Sequence, residues 1–345
     1  MTDNILPSPD RVDWVDYAKG VCIIAVVIFY CVGGVEAVMN ERGWMSYAVD
    51  FAHPFRMPDF FLVAGLFVGS TLKRPWRSYL DTKVVHFLYF YAIWITIEFV
   101  VMNWRAILGS EPLATLSDYG RLYIQPEGHL WFIYMLPVYF IATRLLQGVH
   151  PAIVIGVAIL LKLVDPQTGW KMIDRFGMYF IFFYCGHLFA PQLFRFARWV
   201  QDNRERAFAV LTLWIIANTI VVKMAITDLP PIHLVMGFAG ALAVLVFSAL
   251  ISGMRSMEWL RYLGAHSIVV YLAFFFPMIL SRKIILDLNL FSDPGTVSFV
   301  TTIAAIVGAV LIYWIVRKTP LRYLFERPSW AKLRTPYRVG LKKAY

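Results

Sequence analysis

Residues 17–39 of the chain read YAKGVCIIAVVIFYCVGGVEAVM, an apolar run whose only charged side chains are Lys19 and Glu36. A helix of about 20 apolar residues crosses the hydrocarbon core of a bilayer, which is about 30 Å thick. The run is 23 residues long and is therefore long enough to cross. The run therefore predicts a transmembrane helix, and it indicates that the chain is an integral membrane protein.

Nine more apolar blocks follow along the chain, separated by charged turns or by turns with proline or glycine. The fifth block of the series is short, but turns at 149–151 and 165–169 bound it clearly. The sequence predicts an all-α integral membrane protein of about ten transmembrane helices, at residues 17–39, 51–72, 84–102, 128–146, 151–164, 176–193, 207–226, 232–251, 262–281 and 296–316.

The composition agrees with a membrane protein. Hydrophobic residues make up 59% of the 345 residues, charged residues make up 16%, and the mean hydropathy is +0.63. A soluble domain usually has about 25% charged residues. The net charge of +10 would suit nucleic-acid binding, but the 32 lysines and arginines are spread between the apolar blocks. We therefore expect membrane lipid as a partner and no nucleic acid.

Lysine and arginine also orient the predicted bundle. With the N-terminus in the cytoplasm, 22 of them fall on the inner side and nine on the outer side, and Arg56 is left over within the second block. This asymmetry follows the positive-inside rule. The basic tail is expected to touch anionic lipid. We predict that both termini are cytoplasmic, with an N-terminal segment at 1–16, one transmembrane domain at 17–316 and the tail at 317–345.

An inner, mainly basic layer is predicted near the cytoplasmic face. Lys19 and Tyr30 are 11 residues apart, which places them on one face of the first helix, about 16.5 Å apart along its axis. Asp16, Arg74 and Arg77 lie near the same face of the membrane, and the cations could hold a phosphorylated ligand. Two other interpretations stay open: Lys19 reaches the lipid headgroups, and the other cations follow from the positive-inside rule alone.

An outer polar layer is predicted on the opposite side. Ionisable groups inside a membrane span are costly and usually face a cavity or a partner. The layer indicates an internal polar cavity that opens outward, and a structural hydrogen-bond network between helices is the alternative. Neither this layer nor the three cysteines show metal-ligand spacing, so no metal is expected. The residues of the layer are His53, Arg56, Asp59, Glu98, His129 and Trp131.

Four stretches together resemble a known family. They are RVDWVDYAKGVCIIAVVIFY (11–30), RMPDFFLVAGLFVGSTLKRPWRSYLDTK (56–83), GHLWFIYMLPVYF (128–140) and LGAHSIVVYLAFFFP (263–277). In this order they are similar to the first helix, the second helix with its basic loop, the His-Leu-Trp-Phe helix and the ninth-helix signature of the acyltransferase 3 family. Members of that family are polytopic bacterial membrane proteins, usually with ten helices.

The resemblance implies transfer of an acyl group, commonly acetyl from cytoplasmic acetyl-CoA, to a sugar or glycan hydroxyl at the outer side of the bacterial inner membrane. Acyl-CoA would be a cosubstrate, and no cofactor would be bound. On this interpretation the catalytic candidates are Tyr30, Glu98 and His129. The acyl-CoA-binding candidates are Lys19, Arg74, Arg77 and Asp16, and the candidates for the acceptor cavity are His53, Arg56, Asp59 and Trp131.

Tyr30 departs from the family pattern. The family has a basic residue on the first helix, ten intervening positions and then a histidine thought to be catalytic; Lys19 matches the basic residue, and Tyr30 takes the histidine position. A phenol, with a reference pKa of about 10, is a poor base near neutral pH. Three explanations stay open: lost or altered chemistry, substitution of an active enzyme, or a base supplied by His53, Glu98 or His129. Phe274 likewise stands where many members carry histidine.

Two other functions fit the same composition. A transporter or exporter of a glycan or a lipid-linked sugar would use a polar cavity without covalent chemistry. A non-catalytic assembly partner for a surface-polysaccharide complex would explain Tyr30. The acyl group, the acceptor and the oligomeric state are left open by the sequence.

Overall fold

The computed structural model describes residues 12–108 and 112–333, without the side chains of residues 112–114. Every regular element in this part of the chain is helical, in agreement with the predicted all-α class. The α-helices are α1 (Asp13–Met39), α2 (Ser46–Ala52), α3 (Arg56–Gly65), α4 (Gly69–Leu72), α5 (Trp76–Leu80), α6 (His86–Ile107), α7 (Pro112–Leu122), α8 (Trp131–Leu145), α9 (Pro151–Val164), α10 (Lys171–Leu188), α11 (Ala190–Asp202), α12 (Arg204–Lys223), α13 (Pro230–Ile251), α14 (Glu258–Ala265), α15 (Ser267–Ala273), α16 (Phe275–Asp287) and α17 (Pro294–Val316).

Several of these helices are long and apolar enough to cross a membrane. Within the described residues there are five: α1, α12, α13, α17 and the continuous helix Trp76–Ile107, in which a π-helical turn at Asp81–Val85 joins α5 to α6. The pair α15 and α16, bent by 52°, makes a sixth if it is one span. The short block predicted at 151–164 forms α9. The structure therefore supports an integral membrane protein, while the count of ten and the orientation of the termini stay predictions.

The second apolar block, expected as one helix at 51–72, is broken in the structure. Its residues are divided among α2, α3 and α4, and Phe55 between the first two has a non-helical backbone. Pro54 and Pro58 explain the first break, because proline has no amide hydrogen to donate and restricts the residue before it. The break places Arg56 at the first turn of a new helix.

The chain divides into two compact units. The first contains the described residues up to Phe67 together with Val149–Val316, and the second contains Val68–Gly148 and the described residues from Arg317 onward. The first unit thus holds α1–α3 and α9–α17, and the second holds α4–α8. The described part of the tail belongs to the second unit.

Close helix contacts hold α3 in the first unit. A Cβ atom on Gly65 of α3 would collide with the Phe183 carbonyl oxygen of α10, and one on Gly186 of α10 would collide with the Leu62 carbonyl oxygen of α3. Small residues are typical where membrane helices pack backbone to backbone. Since each helix contributes a glycine, larger side chains at either position would push the helices apart.

The described tail docks on the long helix of the second unit. The Trp94 indole donates to the Leu324 carbonyl oxygen at 2.9 Å, and the Tyr89 hydroxyl donates to that of Tyr323 at 3.0 Å. Further along, Arg327 donates to both the backbone and the carboxylate oxygen of Asp81 at 2.7 Å. These contacts attach the tail to the protein itself as far as residue 333.

Candidate active site

The N-terminal part of α1 carries Lys19 and Asp16. The Lys19 ammonium lies 3.8 Å from an Asp16 carboxylate oxygen and 5.6 Å from the centre of the Phe67 ring. Asp16 is buried, whereas about a third of the Lys19 side chain is exposed. α14 packs closely against this turn, because a Cβ atom on Gly264 would collide with the Asp16 carbonyl oxygen. The buried carboxylate thus anchors a cation that keeps access to its surroundings.

Tyr30 lies further along α1 in an aromatic setting. Its ring is half-buried, 5.1 Å from the centre of Phe29 and 5.8 Å from that of Phe274. Phe274 is fully buried at the bend between α15 and α16. The structure therefore brings together the two positions at which the family resemblance expects histidine. Neither phenol nor phenyl accepts a proton readily near neutral pH.

Arg56 packs beside this aromatic group. Its guanidinium lies 3.9 Å from the centre of the Phe29 ring, a cation–π arrangement, and it interacts electrostatically with Tyr30 and Tyr179. Arg56 is 8% exposed, and its Nη1 has no hydrogen-bond partner among the described residues. The first unit thus holds a buried positive charge close to Tyr30.

Asp59 lies one turn after Arg56 on α3, but it does not pair with it. Instead, its carboxylate accepts a hydrogen bond from the Cys22 thiol of α1 at 2.7 Å. Both residues are buried, at 2% exposure each. Asp59 therefore links α3 to α1, which makes it a positioning group for Arg56 and Tyr30.

His53 lies at the surface of the first unit. Its Nδ1 is 3.7 Å from an Asp228 carboxylate oxygen, with 42% of the His53 side chain and 84% of the Asp228 side chain exposed. The His53 ring meets His233 edge-on, with centroids 6.1 Å apart. The structure places His53 among these groups and gives it a far more exposed setting than Arg56 or Asp59.

Glu98 and His129 come together in the second unit. The long helix supplies Glu98, and the turn that leads into α8 supplies His129. Glu98 Oε1 and His129 Nε2 are 3.3 Å apart, and the two residues are 8% and 2% exposed. This distance is short enough for an ion pair, but the two atoms do not have the alignment that a hydrogen bond requires. Two catalytic candidates that are 31 positions apart in sequence thus form one buried acid–base pair.

The remaining candidates of the second unit are less buried. Arg74 and Arg77 are exposed. Because α5 begins at Trp76, after Pro75, Arg74 does not share a helix with Arg77. The Arg74 carbonyl oxygen accepts a hydrogen bond from Arg144 at 2.8 Å. Trp131 begins α8 and is half-buried.

Arg144 is a cation that the sequence-based site left out. Its guanidinium lies 4.9 Å from the centre of the Trp76 ring and 5.1 Å from that of Tyr79. Tyr79 in turn donates to the Phe140 carbonyl oxygen at 2.8 Å. No local spacing predicts this group, because its members are brought together by the packing of α5 against α8 and not by one helix face.

No group of three histidine, cysteine, aspartate or glutamate side chains among the described residues is placed to hold a metal ion. The side chains in these clusters supply cations at Lys19 and Arg56, a hydroxyl at Tyr30, and an imidazole beside a carboxyl group at His129 and Glu98.

Comparisons with known proteins agree with the sequence resemblance. The model of a family described as an acyltransferase domain matches residues 12–316. The inner membrane protein YcfT of Escherichia coli is 21% identical over 282 residues, which cover 75% of this chain and 77% of that protein. No solved structure matches the chain.

Proposed function

The chain belongs to the acyltransferase 3 family, and on that premise we propose that it is a membrane-bound O-acyltransferase whose base is His129. It moves an acyl group, acetyl in the simplest case, from cytoplasmic acyl-CoA to a hydroxyl of a sugar or glycan at the outer side of the bacterial inner membrane. The name of YcfT, an inner membrane protein, supports that location.

The contact between Glu98 and His129 carries the proposal. Imidazole is the side chain that most often takes a proton from a hydroxyl, and His129 lies against the buried Glu98. A carboxylate beside the ring selects the tautomer and stabilises the imidazolium that forms. Nε2 of His129 lies 3.3 Å from Oε1 of Glu98, so the carboxyl group is placed to orient the ring.

The proposed step balances as a direct acyl transfer. The acceptor oxygen attacks the thioester carbonyl carbon while its proton passes to His129. Collapse of the tetrahedral intermediate breaks the carbon–sulfur bond, and the sulfur of coenzyme A leaves with the proton returned by the imidazolium. The products are an ester and free coenzyme A, and the hydroxyl oxygen must come within about 3 to 3.5 Å of the carbonyl carbon.

Three cations of the chain would bind the cosubstrate, acyl-CoA. Lys19, anchored by Asp16, and the exposed Arg74 and Arg77 would bind phosphate groups of acyl-CoA through charge-assisted hydrogen bonds. Tyr30 would donate a hydrogen bond to the oxyanion instead of acting as the base. Trp131, His53 and Asp59 would shape the acceptor cavity.

The test is the release of free coenzyme A from acetyl-CoA by the full chain in nanodiscs, with neutral and acidic sugar glycosides as acceptors. His129→Ala should lower the rate by about 10²–10⁴-fold, the usual contribution of a general base. His150→Ala is the matched control. His150 is exposed and caps α9, so we expect an unchanged rate.

A rate that survives His129→Ala would reject His129 as the base. If only a Tyr30→His variant turns over, the first helix carries the base and the natural chain is an inactivated member. If neither the natural chain nor Tyr30→His binds radiolabelled acetyl-CoA, the acyltransferase proposal fails and the transporter interpretation takes its place.

A further inference from the structure

Arg56 is a buried cation that the proposed reaction step does not use. Its guanidinium lies 3.9 Å from the centre of the Phe29 ring and interacts electrostatically with Tyr30 and Tyr179. The nearest carboxylate in the sequence, Asp59, is bound to the Cys22 thiol. No ion pair to Arg56 occurs in the described part of the chain, and Nη1 has no hydrogen-bond partner there.

This arrangement is unusual on physical grounds. A buried charge is costly unless it is paired or hydrogen-bonded, and charged groups inside membrane spans normally face a partner or a pathway. The aromatic ring contacts the plane of the guanidinium, whereas the Nη1 donor has no hydrogen-bond partner among the described residues. Guanidinium N–H donors match the two oxygens of a carboxylate in geometry and charge.

A second cation lies on the same part of α1. A Cβ atom on Gly34 would collide with the Arg282 guanidinium, so Arg282 rests on the backbone of α1 where no side chain projects. Gly34 is four residues after Tyr30 and therefore on the same face, about one turn further along. Arg282 has no ion pair within the described residues. Two guanidinium groups thus flank the stretch of α1 that carries Tyr30.

We propose that Arg56 binds an anionic group, most simply a carboxylate, on a substrate, with Arg282 as a second cation. The term substrate rests on the proposed acyltransferase function. The carboxylate has two possible sources: the far end of a dicarboxylic acyl group carried by coenzyme A, or the acidic group of a uronic acid in the acceptor. In either case Arg56 determines specificity, because it favours a charged substrate over its neutral counterpart.

The experiment measures binding by the full chain in nanodiscs in two arms. The first arm compares succinyl-CoA with acetyl-CoA, and the second compares glucuronate with glucose by ligand-induced shifts in the thermal unfolding midpoint. We expect the natural chain to bind one anionic probe about tenfold to hundredfold more tightly than its neutral twin, the range of one charge-assisted hydrogen bond. Arg56→Gln should abolish that ratio, and Arg56→Lys should restore part of it.

Arg42→Gln is the matched control, because Arg42 is exposed and already paired with Asp50, and its variant should keep the full ratio. A preference for succinyl-CoA places the anion on the acyl group, and a preference for glucuronate places it on the acceptor. The proposal is overturned if neither arm shows a preference, or if the preference persists in Arg56→Gln.

The second arm separates this inference from the proposed function. Glucuronate binding needs no acyl-CoA, so a chain that ignores acyl-CoA but binds glucuronate through Arg56 would reject the acyltransferase and keep the anion site. If Arg56→Gln does not fold, the ratio in Arg56→Lys decides, since a merely structural arginine would leave that ratio equal to the natural one.

Discussion

Arg56 in the first unit and Arg327 in the second are both buried arginines, but their surroundings differ. The Arg327 side chain is 6% exposed and donates to the carboxylate of Asp81, which also accepts from the Leu333 amide at 2.6 Å. Arg56, at 8% exposure, meets an aromatic ring and no described carboxylate. In the second unit, a carboxylate of the protein pairs with the buried arginine. In the first unit, no described carboxylate pairs with Arg56, so a bound anion could compensate its charge.

The difference separates a structural charge from a functional one. A buried ion pair holds two segments in register, and removing one partner leaves the other charge without compensation. A buried charge without a partner weakens the fold, and it is kept only if something else gains from it. The comparison therefore predicts opposite effects on stability when each arginine is replaced by an apolar side chain of similar length.

The largest loss of stability is expected for Arg327→Met. The change leaves the partly buried Asp81 carboxylate without its cation, so the free energy of unfolding should fall by up to about 3 kcal/mol. The measurement is unfolding of the purified chain in mixed micelles as the fraction of denaturing detergent rises. An unchanged midpoint would mean that the tail does not hold the second unit together.

A second variant tests the cause of that loss. Asp81→Leu combined with Arg327→Met removes both charges, so it should be clearly more stable than Arg327→Met alone. If the double variant is as unstable as the single one, the uncompensated Asp81 charge is not the cause of the lost stability. The cause would then be the lost packing of the Arg327 side chain and its hydrogen bond to the backbone.

The next effect has the opposite sign. Arg56→Met should raise the free energy of unfolding of the ligand-free protein by about 1–4 kcal/mol, because a buried charge is replaced by an apolar chain. The same detergent titration measures it, with acyl-CoA and sugars absent. A loss of stability would show that the contact with Phe29 outweighs the cost of burial, and the contrast between the two arginines would then disappear.

The smallest effect belongs to an exposed pair. Arg42 lies 2.8 Å from Asp50, with 70% of the Arg42 side chain exposed. Solvent screens such pairs, and we expect Arg42→Gln to change the free energy of unfolding by less than about 1 kcal/mol. A larger change would mean that the detergent titration responds to arginine loss in general, which would weaken the conclusions drawn from Arg56 and Arg327.

Sequence reasoning identified the membrane class and the family, because both depend on the lengths of apolar blocks and on short motifs. It also selected Glu98 and His129 as catalytic candidates, since ionisable residues are rare in such blocks. The structure shows them in contact at 3.3 Å. The sequence alone does not predict this contact, because it depends on how the turn before α8 packs against the long helix.

The same limit applies to the first unit. Arg56 and Asp59, three residues apart, suggest a pair on one helix face, but Asp59 instead accepts a hydrogen bond from Cys22, which is 37 residues earlier in the sequence. The sequence alone does not predict the partner of Asp81 either. Local spacing favours Arg77, four residues earlier, whereas Arg327 is the observed partner, because the tail returns to the helix.

The contact between Asp81 and Arg327 also has a consequence for biosynthesis. The two residues are 246 positions apart, which at about 5–20 residues per second corresponds to about 12–50 s of translation. Helices α4–α8 are synthesised before most of the first unit. The cation that pairs with the Asp81 carboxylate, Arg327, is synthesised only after α17. The second unit is therefore begun early and is completed only after α17 has been synthesised.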